Sequence, residues 1–215
     1  MRFVLFDLDN TLIDRQGTLA VWAEVFCRER DLDERAARYL VDALSERAYP
    51  HTFEWLRHEL ALEESTAQLW AAYVDGIAHH VTVNPGAIDG LGQLRAEDWK
   101  LGILTNGAAD IQRAKITAAG LTNAVDAIVI SEEIGVRKPD THAFHTAVAQ
   151  IGGSPSAPAW MVGDNPAGDI AGAHQAGLRT IWLRGRPWPA DVDTPYYSVD
   201  TIAEAITLLL TEGSR

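Results

Sequence analysis

The feature that most constrains the fold is a set of five short, unbroken apolar runs, at residues 3–6, 101–104, Ala127–Ile130, 160–162 and 180–183. Runs this short, with no polar alternation, predict strands buried on both faces, as in a parallel sheet covered by helices. The first four stop abruptly at polar residues: Asp7, Thr105-Asn106, Ser131-Glu132 and Gly163-Asp164. Between the later runs apolar residues recur at helical spacing, roughly at Ile111, Ala114, Ile116 and Ala119 and more cleanly at Ala143, Phe144, Ala147, Val148 and Ile151. Strand and helix alternate, so the expected class is α/β with a parallel sheet. Ligands of such sheets collect beyond the carboxyl ends of the strands. The polar residues at those ends are therefore the first candidates for a site.

Residues 15–83 break this alternation. They hold no comparable strand run and read as four helices, at 18–30, 33–48, 53–62 and 66–79. Asp33, Thr52 and Ser65 suit N-caps, and Pro50 marks a break before the third helix. Asn84-Pro85-Gly86 then closes the segment with turn residues. The expected organisation is a Rossmann-like core of residues 1–14 and 84–215, with an all-helical lid, 15–83, inserted after the first strand.

Composition narrows the classes. A chain of 215 residues suits one large domain, or a core with one insertion, and buries enough surface to need no staples. The single cysteine, Cys27, leaves no internal disulfide and fits a reducing compartment. The apolar run near the start is too short for a secretory signal or a membrane span, so the expected location is the cytoplasm. The net charge of −12 argues against a nucleic-acid polymer as partner, because phosphate contacts need a basic surface. It leaves room for a small anion held by a metal and a few local cations. Lysines are scarce: Lys100, Lys115 and Lys138.

The chemistry concentrates in four segments. In "FDLDNT", Asp7 and Asp9 are two residues apart at a strand end and can face one pocket. Two bare carboxylates that close repel, and one would take up a proton. A hard divalent cation such as Mg²⁺ resolves the conflict, since it binds one or two carboxylates together with water and phosphate oxygens. Asp164, in "GDNPAGD", supplies a third acid, and Asp169 can orient ligands or water from behind. "LTNG" brings the Thr105 hydroxyl, the Asn106 amide and Gly107 to the same edge, with a helix starting soon after whose free N–H groups can face an anion. "RKPD" brings the Lys138 ammonium, with Pro139 suited to the start of the next helix.

These four segments, in this order, resemble the haloacid dehalogenase-like hydrolase superfamily, over residues 3–14 and 85–184. The helical insert between the first two resembles the C1 cap of its subfamily I. The resemblance implies that Asp7 is the nucleophile that forms an aspartyl-phosphate and that Asp9 is the acid/base. It also implies that Thr105 and Lys138 hold the transferring phosphoryl group. Asp7, the main-chain carbonyl of Asp9, and Asp164 would then bind Mg²⁺. Members that displace halide lack an acid at position 9, so Asp9 points to phosphoryl transfer. Members that cleave phosphonates use a cap lysine, and residues 15–83 contain none. The expected activity is hydrolysis of a small phosphomonoester: a sugar phosphate, phosphoglycolate or a nucleoside monophosphate. A phosphomutase and a non-catalytic phosphate-sensing protein are the alternatives.

The insert offers His51, Trp55, Arg57 and His58 as residues able to read the leaving group, with Trp55 and His58 on one helix face. The same residues can equally be insert core or solvated surface. His79-His80 reads as a helix end, Asp14 as a structural or hinge residue, and Trp188, between two prolines, as a surface residue.

Overall fold

The computed structural model describes residues 1–154 and 157–213. Its elements run in chain order as follows: β1 (Arg2–Phe6), α1 (Arg15–Arg28), α2 (Glu34–Leu44), α3 (Pro50–Glu59), α4 (Thr66–His80), α5 (Ala87–Ala96), β2 (Trp99–Thr105), α6 (Ala109–Ala118), β3 (Ala127–Ile130), α7 (Ser131–Ile134), α8 (Thr141–Gln150) and β4 (Ala159–Gly163). A π-helical turn, Pro166–Ala171, then runs into α9 (Gly172–Gln175), followed by β5 (Arg179–Leu183), β6 (Tyr197–Val199) and α10 (Ile202–Gly213). The strands form one parallel sheet in the order β3-β2-β1-β4-β5-β6. This is the Rossmann-like α/β fold, with all five expected strands present. Strand β6 and helix α10 are additions that the apolar runs did not announce, since β6 has only three residues.

Side chains of β1 alternate between two cores, as the two-residue period requires. Val4 and Phe6 join the cluster packed under α5 and α10, while Phe3 and Leu5 join the one packed under α8 and α9. Phe6 pairs with Ile103 of β2 and with Val162 of β4, so three neighbouring strands end within two residues of one another. The Asp7 N–H, donating to the Val162 carbonyl at 2.9 Å, extends this pairing to the first residue of the site.

Helices α1 to α4 pack on each other around a separate apolar cluster that includes Leu19, Trp22, Leu40, Phe53 and Tyr73. Ile111 of α6 joins that cluster, and Trp70 Nε1 donates to Asp110 at 2.5 Å, which seats the insert beside the sheet edge. Its two connections are stitched together. The Asp14 N–H donates to Thr82 O at 2.8 Å, the Asn84 N–H to Leu12 O at 2.9 Å, and Asn84 Nδ2 to Thr11 O at 2.9 Å.

Caps behave as expected at Asp33 and Ser65, whose side chains accept from first-turn N–H groups. Asp14 is a third, capping α1 by accepting from the Gly17 N–H at 2.9 Å. Thr52 is not an N-cap. Pro50 occupies the first turn of α3, where its missing N–H costs nothing, so the cap falls to Tyr49 and Thr52 closes the box from the third position. Pro139 also misses its expected place. Helix α8 is capped by Asp140 and begins at Thr141, so Pro139 lies in the loop before it. Trp188 is half-buried rather than on the surface, packed on Trp182 at 4.6 Å.

Candidate active site

Strand order decides which residues meet. With β1 between β2 and β4, the ends carrying Asp7, Thr105 and Asp164 lie side by side. They line one cleft together with Asp9, Asn106, Gly107, Lys138 and Asp169, so every core residue singled out from the sequence is present there. The cleft is roofed by the insert through Arg15, residues 45–49 and Tyr73.

On one side, Lys138 Nζ sits 2.6 Å from Asp7 Oδ1 and 2.6 Å from Asp169 Oδ1. The other Asp169 oxygen accepts the Asn165 N–H at 3.0 Å, so Asp169 is committed at both ends and fixes Lys138. A side chain at position 163 would collide with Asp169: a Cβ there would fall 2.3 Å from its carboxylate oxygen, and only glycine lets the end of β4 lie over that acid. Asp7, Asp164 and Asp169 are buried, with carboxylate oxygens within 4.8 Å of one another. Burial lifts the Asp7 carboxyl to about 7, with Asp169 and Asp9 adding to the rise and Lys138 opposing it. Burial lifts Asp164 as well, Asp7 adding and Arg186 opposing. Three acids this close, served on this side by Lys138 and Arg186, form an oxygen-rich, charge-deficient donor set that suits a hard divalent cation.

On the other side, Asp9 turns away from that cluster. Lys115 Nζ holds both of its oxygens, at 2.6 and 2.7 Å, and Arg15 Nε lies 3.9 Å away. Burial alone would raise this carboxyl, but Lys115 and Arg15 outweigh it and hold Asp9 below the usual carboxylate range. The Asp9 carboxylate therefore does not belong to the acid cluster, and any share it has in a cation falls to its main-chain carbonyl. Asn10, at φ 59°, turns the chain straight after it, in a conformation asparagine tolerates better than most residues.

The phosphate-facing groups separate into those aimed at the cleft and those that hold others. Gln112 Nε2 donates to Thr105 Oγ1, which fixes Thr105 as acceptor there and leaves its hydroxyl proton to give. Asn106 is spent on Lys138: its Nδ2 donates to the Lys138 carbonyl at 2.9 Å, and its Oδ1 accepts the Lys138 N–H at 3.0 Å. The Gly107 N–H donates to Ser131 Oγ at 3.0 Å, and the Ala109 N–H to Glu132 at 2.8 Å. Two N–H groups at the approach to α6 are thus taken by the chain's own hydroxyl and carboxylate and are not open to an anion.

The proposed readers in the insert do not reach the cleft. Trp55 is 45% exposed and packs on Tyr39, while His58 is exposed, and neither lines it. Helix α3 points that face to solvent. The residues that do line the cleft lie just upstream in the loop 45–49, and sequence patterning missed them along with Arg15, Gln112, Lys115 and Arg186. Lys115 carried a usable signal, being one of three lysines. Arg186 carried none, since it lies in a loop after β5 and is brought to Asp164 Oδ2, at 2.8 Å, by the fold alone.

The family model for haloacid dehalogenase-like hydrolases matches residues 4–183. The pyrimidine 5'-nucleotidase YjjG of Escherichia coli is 35% identical over 150 residues, covering 69% of this chain and 66% of that protein. The glyceraldehyde 3-phosphate phosphatase of Methanopyrus kandleri is 29% identical and covers 97% of both chains. Among solved structures, YfnB from Bacillus subtilis, bound to magnesium, superposes with a TM-score of 0.78 at 24% identity, covering 97% of this chain and 98% of that one. A match across that span, together with acids and a threonine at three adjacent strand ends and a lysine brought against them, places this chain in the haloacid dehalogenase-like hydrolase family.

Proposed function

We propose that the protein is a Mg²⁺-dependent phosphatase of a small phosphomonoester, working through an aspartyl-phosphate on Asp7, with residues 15–83 acting as its cap. The observation that carries this reading is the separation of the two N-terminal acids. Asp7 sits in the acid cluster with Lys138, while Asp9 is held apart on Lys115, which supports attack by the first and proton transfer by the second. The phosphatase and nucleotidase relatives support the reaction class.

Asp7 gives one oxygen to Lys138, and its Oδ2 has no partner among the described residues. Attack on phosphorus forms the acyl phosphate as the bond to the leaving oxygen breaks. Thr105 Oγ1–H and Lys138 Nζ bind the transferring phosphoryl oxygens. Asp9 protonates the leaving oxygen, then takes a proton from the water that cleaves the acyl phosphate. In the resting site Asp9 is held ionised, the form needed for the second step. A phosphoryl dianion beside it favours the protonated form needed for the first. Bound at Asp7, Asp164 and the Asp9 carbonyl, Mg²⁺ would supply the charge that lets an anionic nucleophile approach an anionic ester. The roof from Arg15, loop 45–49 and Tyr73 excludes water from the first step and touches the leaving group. A single buried cysteine fits a cytoplasmic setting, and no described helix is long and apolar enough to cross a membrane.

The test is turnover of a generic aryl phosphate with and without Mg²⁺. Turnover that stops in excess chelator supports the reading, and undiminished turnover there removes the metal from it. No turnover by the folded protein under any condition would favour the non-catalytic alternative.

A further inference from the structure

We infer that the leaving group of the natural substrate carries a second anionic group, a carboxylate or another phosphate, bound between Arg47 of the insert and Arg137 of the core. The inference rests on the phosphatase reading and names the substrate class within it.

Most cations of the cleft are already committed. Lys138 is shared by Asp7 and Asp169, Lys115 and Arg15 lie on Asp9, and Arg186 spans Asp164 and Glu46, with Nε 2.8 Å from the first and its NH1 nitrogen 3.1 Å from the second. Arg47, exposed to solvent, and Arg137, half-buried, line the same cleft, and among the described residues neither side chain has a hydrogen-bond or ion-pair partner. In a chain with 30 acids against 18 basic residues, two unpaired guanidinium groups in one cleft leave a local surplus of positive charge against the net charge of the molecule.

Their placement separates them from the transferring phosphoryl group. That group belongs at the cleft floor, against Asp7, Thr105 and Lys138. Arg47 lies on the roof loop, two residues before Tyr49, whose ring is stacked on His51 at 5.6 Å and so held as a flat wall. Arg137 adjoins Lys138 at the rim and is half-buried. A substrate seated on Asp7 projects its leaving group between the two. Guanidinium groups present paired donors that match carboxylate and phosphate oxygens, so a carboxylate or phosphate there meets donors with no competing partner. A neutral polyol or nucleoside would leave both cations without an anion.

The experiment compares substrates of one skeleton. Wild type is assayed with an aryl phosphate, with 3-phosphoglycerate against glycerol 3-phosphate, and with glucose 1,6-bisphosphate against glucose 6-phosphate. Binding of the same four compounds to Asp7→Asn is measured by calorimetry. We expect kcat/KM to favour at least one anionic member of a pair by tenfold or more, and the Asp7→Asn protein to bind it more tightly by a similar factor. Which pair shows the preference tells carboxylate from phosphate. In Arg47→Ala and Arg137→Ala the anionic-to-neutral ratio should collapse toward one, with lysine at either position restoring part of it. Aryl phosphate turnover with equal kcat/KM within both pairs, or a preference untouched by either substitution, overturns the inference and leaves the phosphatase reading standing. A binding preference without turnover of any compound upholds the subsite and removes the phosphatase reading.

Discussion

Asp7 and Asp9 are two residues apart and each holds a lysine at 2.6 Å, yet their surroundings push them in opposite directions, and Asp7 is the more deeply buried, its side chain 10% exposed against 20% for Asp9. Lys138 is shared with Asp169, and further acids crowd Asp7, so burial wins and its proton is held to about 7. Lys115 serves Asp9 alone, Arg15 helps it, and Asp9 stays ionised below the usual range. The contrast shows that a lysine at salt-bridge distance does not by itself set a carboxyl's charge. Depth of burial and the number of acids competing for that lysine do.

Removing each acid tests the contrast most severely. Asp7→Asn should lower kcat on the order of 10⁴-fold or more while the protein stays folded, because an amide cannot form the acyl phosphate. A purified variant with near wild-type rates would mean that another group attacks. Asp9→Asn should cost about 10²–10⁴-fold, more for alkyl than for aryl phosphates, since a poor leaving group needs the proton more. Equal losses for the two classes would count against leaving-group protonation.

Replacing one lysine sharpens the comparison. Lys115→Met leaves Asp9 buried with only Arg15 nearby, so its carboxyl should rise. The acid limb of the pH–rate profile should then move to higher pH, and the fold should lose about 3 kcal/mol by denaturant titration. An unshifted acid limb would show that Lys115 does not govern Asp9.

The smallest expected effect is on stability against pH. Without metal, folded Asp7 keeps its proton up to about 7, whereas the unfolded chain releases it near an ordinary carboxylate value of about 4. The native state therefore binds more protons between those limits, and its stability should fall as pH rises from about 4 to 7. Asp9 has the opposite sign and a lower window: its contribution is present above about 4 and is lost as pH falls through its depressed value. Mg²⁺ bound at Asp7, as proposed, would compete with its proton, so the rise in melting temperature on adding Mg²⁺ should be larger at pH 8 than at pH 5. A metal-induced rise that is flat across that range would separate Asp7 from the metal site.

Much of this was legible in one dimension. The short apolar runs determined a parallel sheet, because only strands covered on both faces tolerate unbroken Val, Ile and Leu. Asp7, Thr105, Lys138 and Asp164 were legible as candidates for the cleft they now line because each stands directly behind such a run or within a short motif at fixed spacing. The insert's helices were legible from caps such as Asp33 and Ser65, whose chemistry is local. The partners of those site residues were not legible. Lys115 meets Asp9 from 106 positions away, Arg186 meets Glu46 from 140, and Arg47 comes to share a cleft with Arg137. Strand order and the seating of the insert on α6 bring these groups together, and neither leaves a periodic trace in the residues concerned. Trp55 and His58 fail as substrate readers for the same reason: their spacing puts them on one face of α3, but the packing of that helix decides which way the face points. Sequence determined which acids, hydroxyl and ammonium group stand at or near the strand ends. Tertiary structure alone decided which acid is charged and what stands over it, because charge depends on burial and on neighbours brought in from afar.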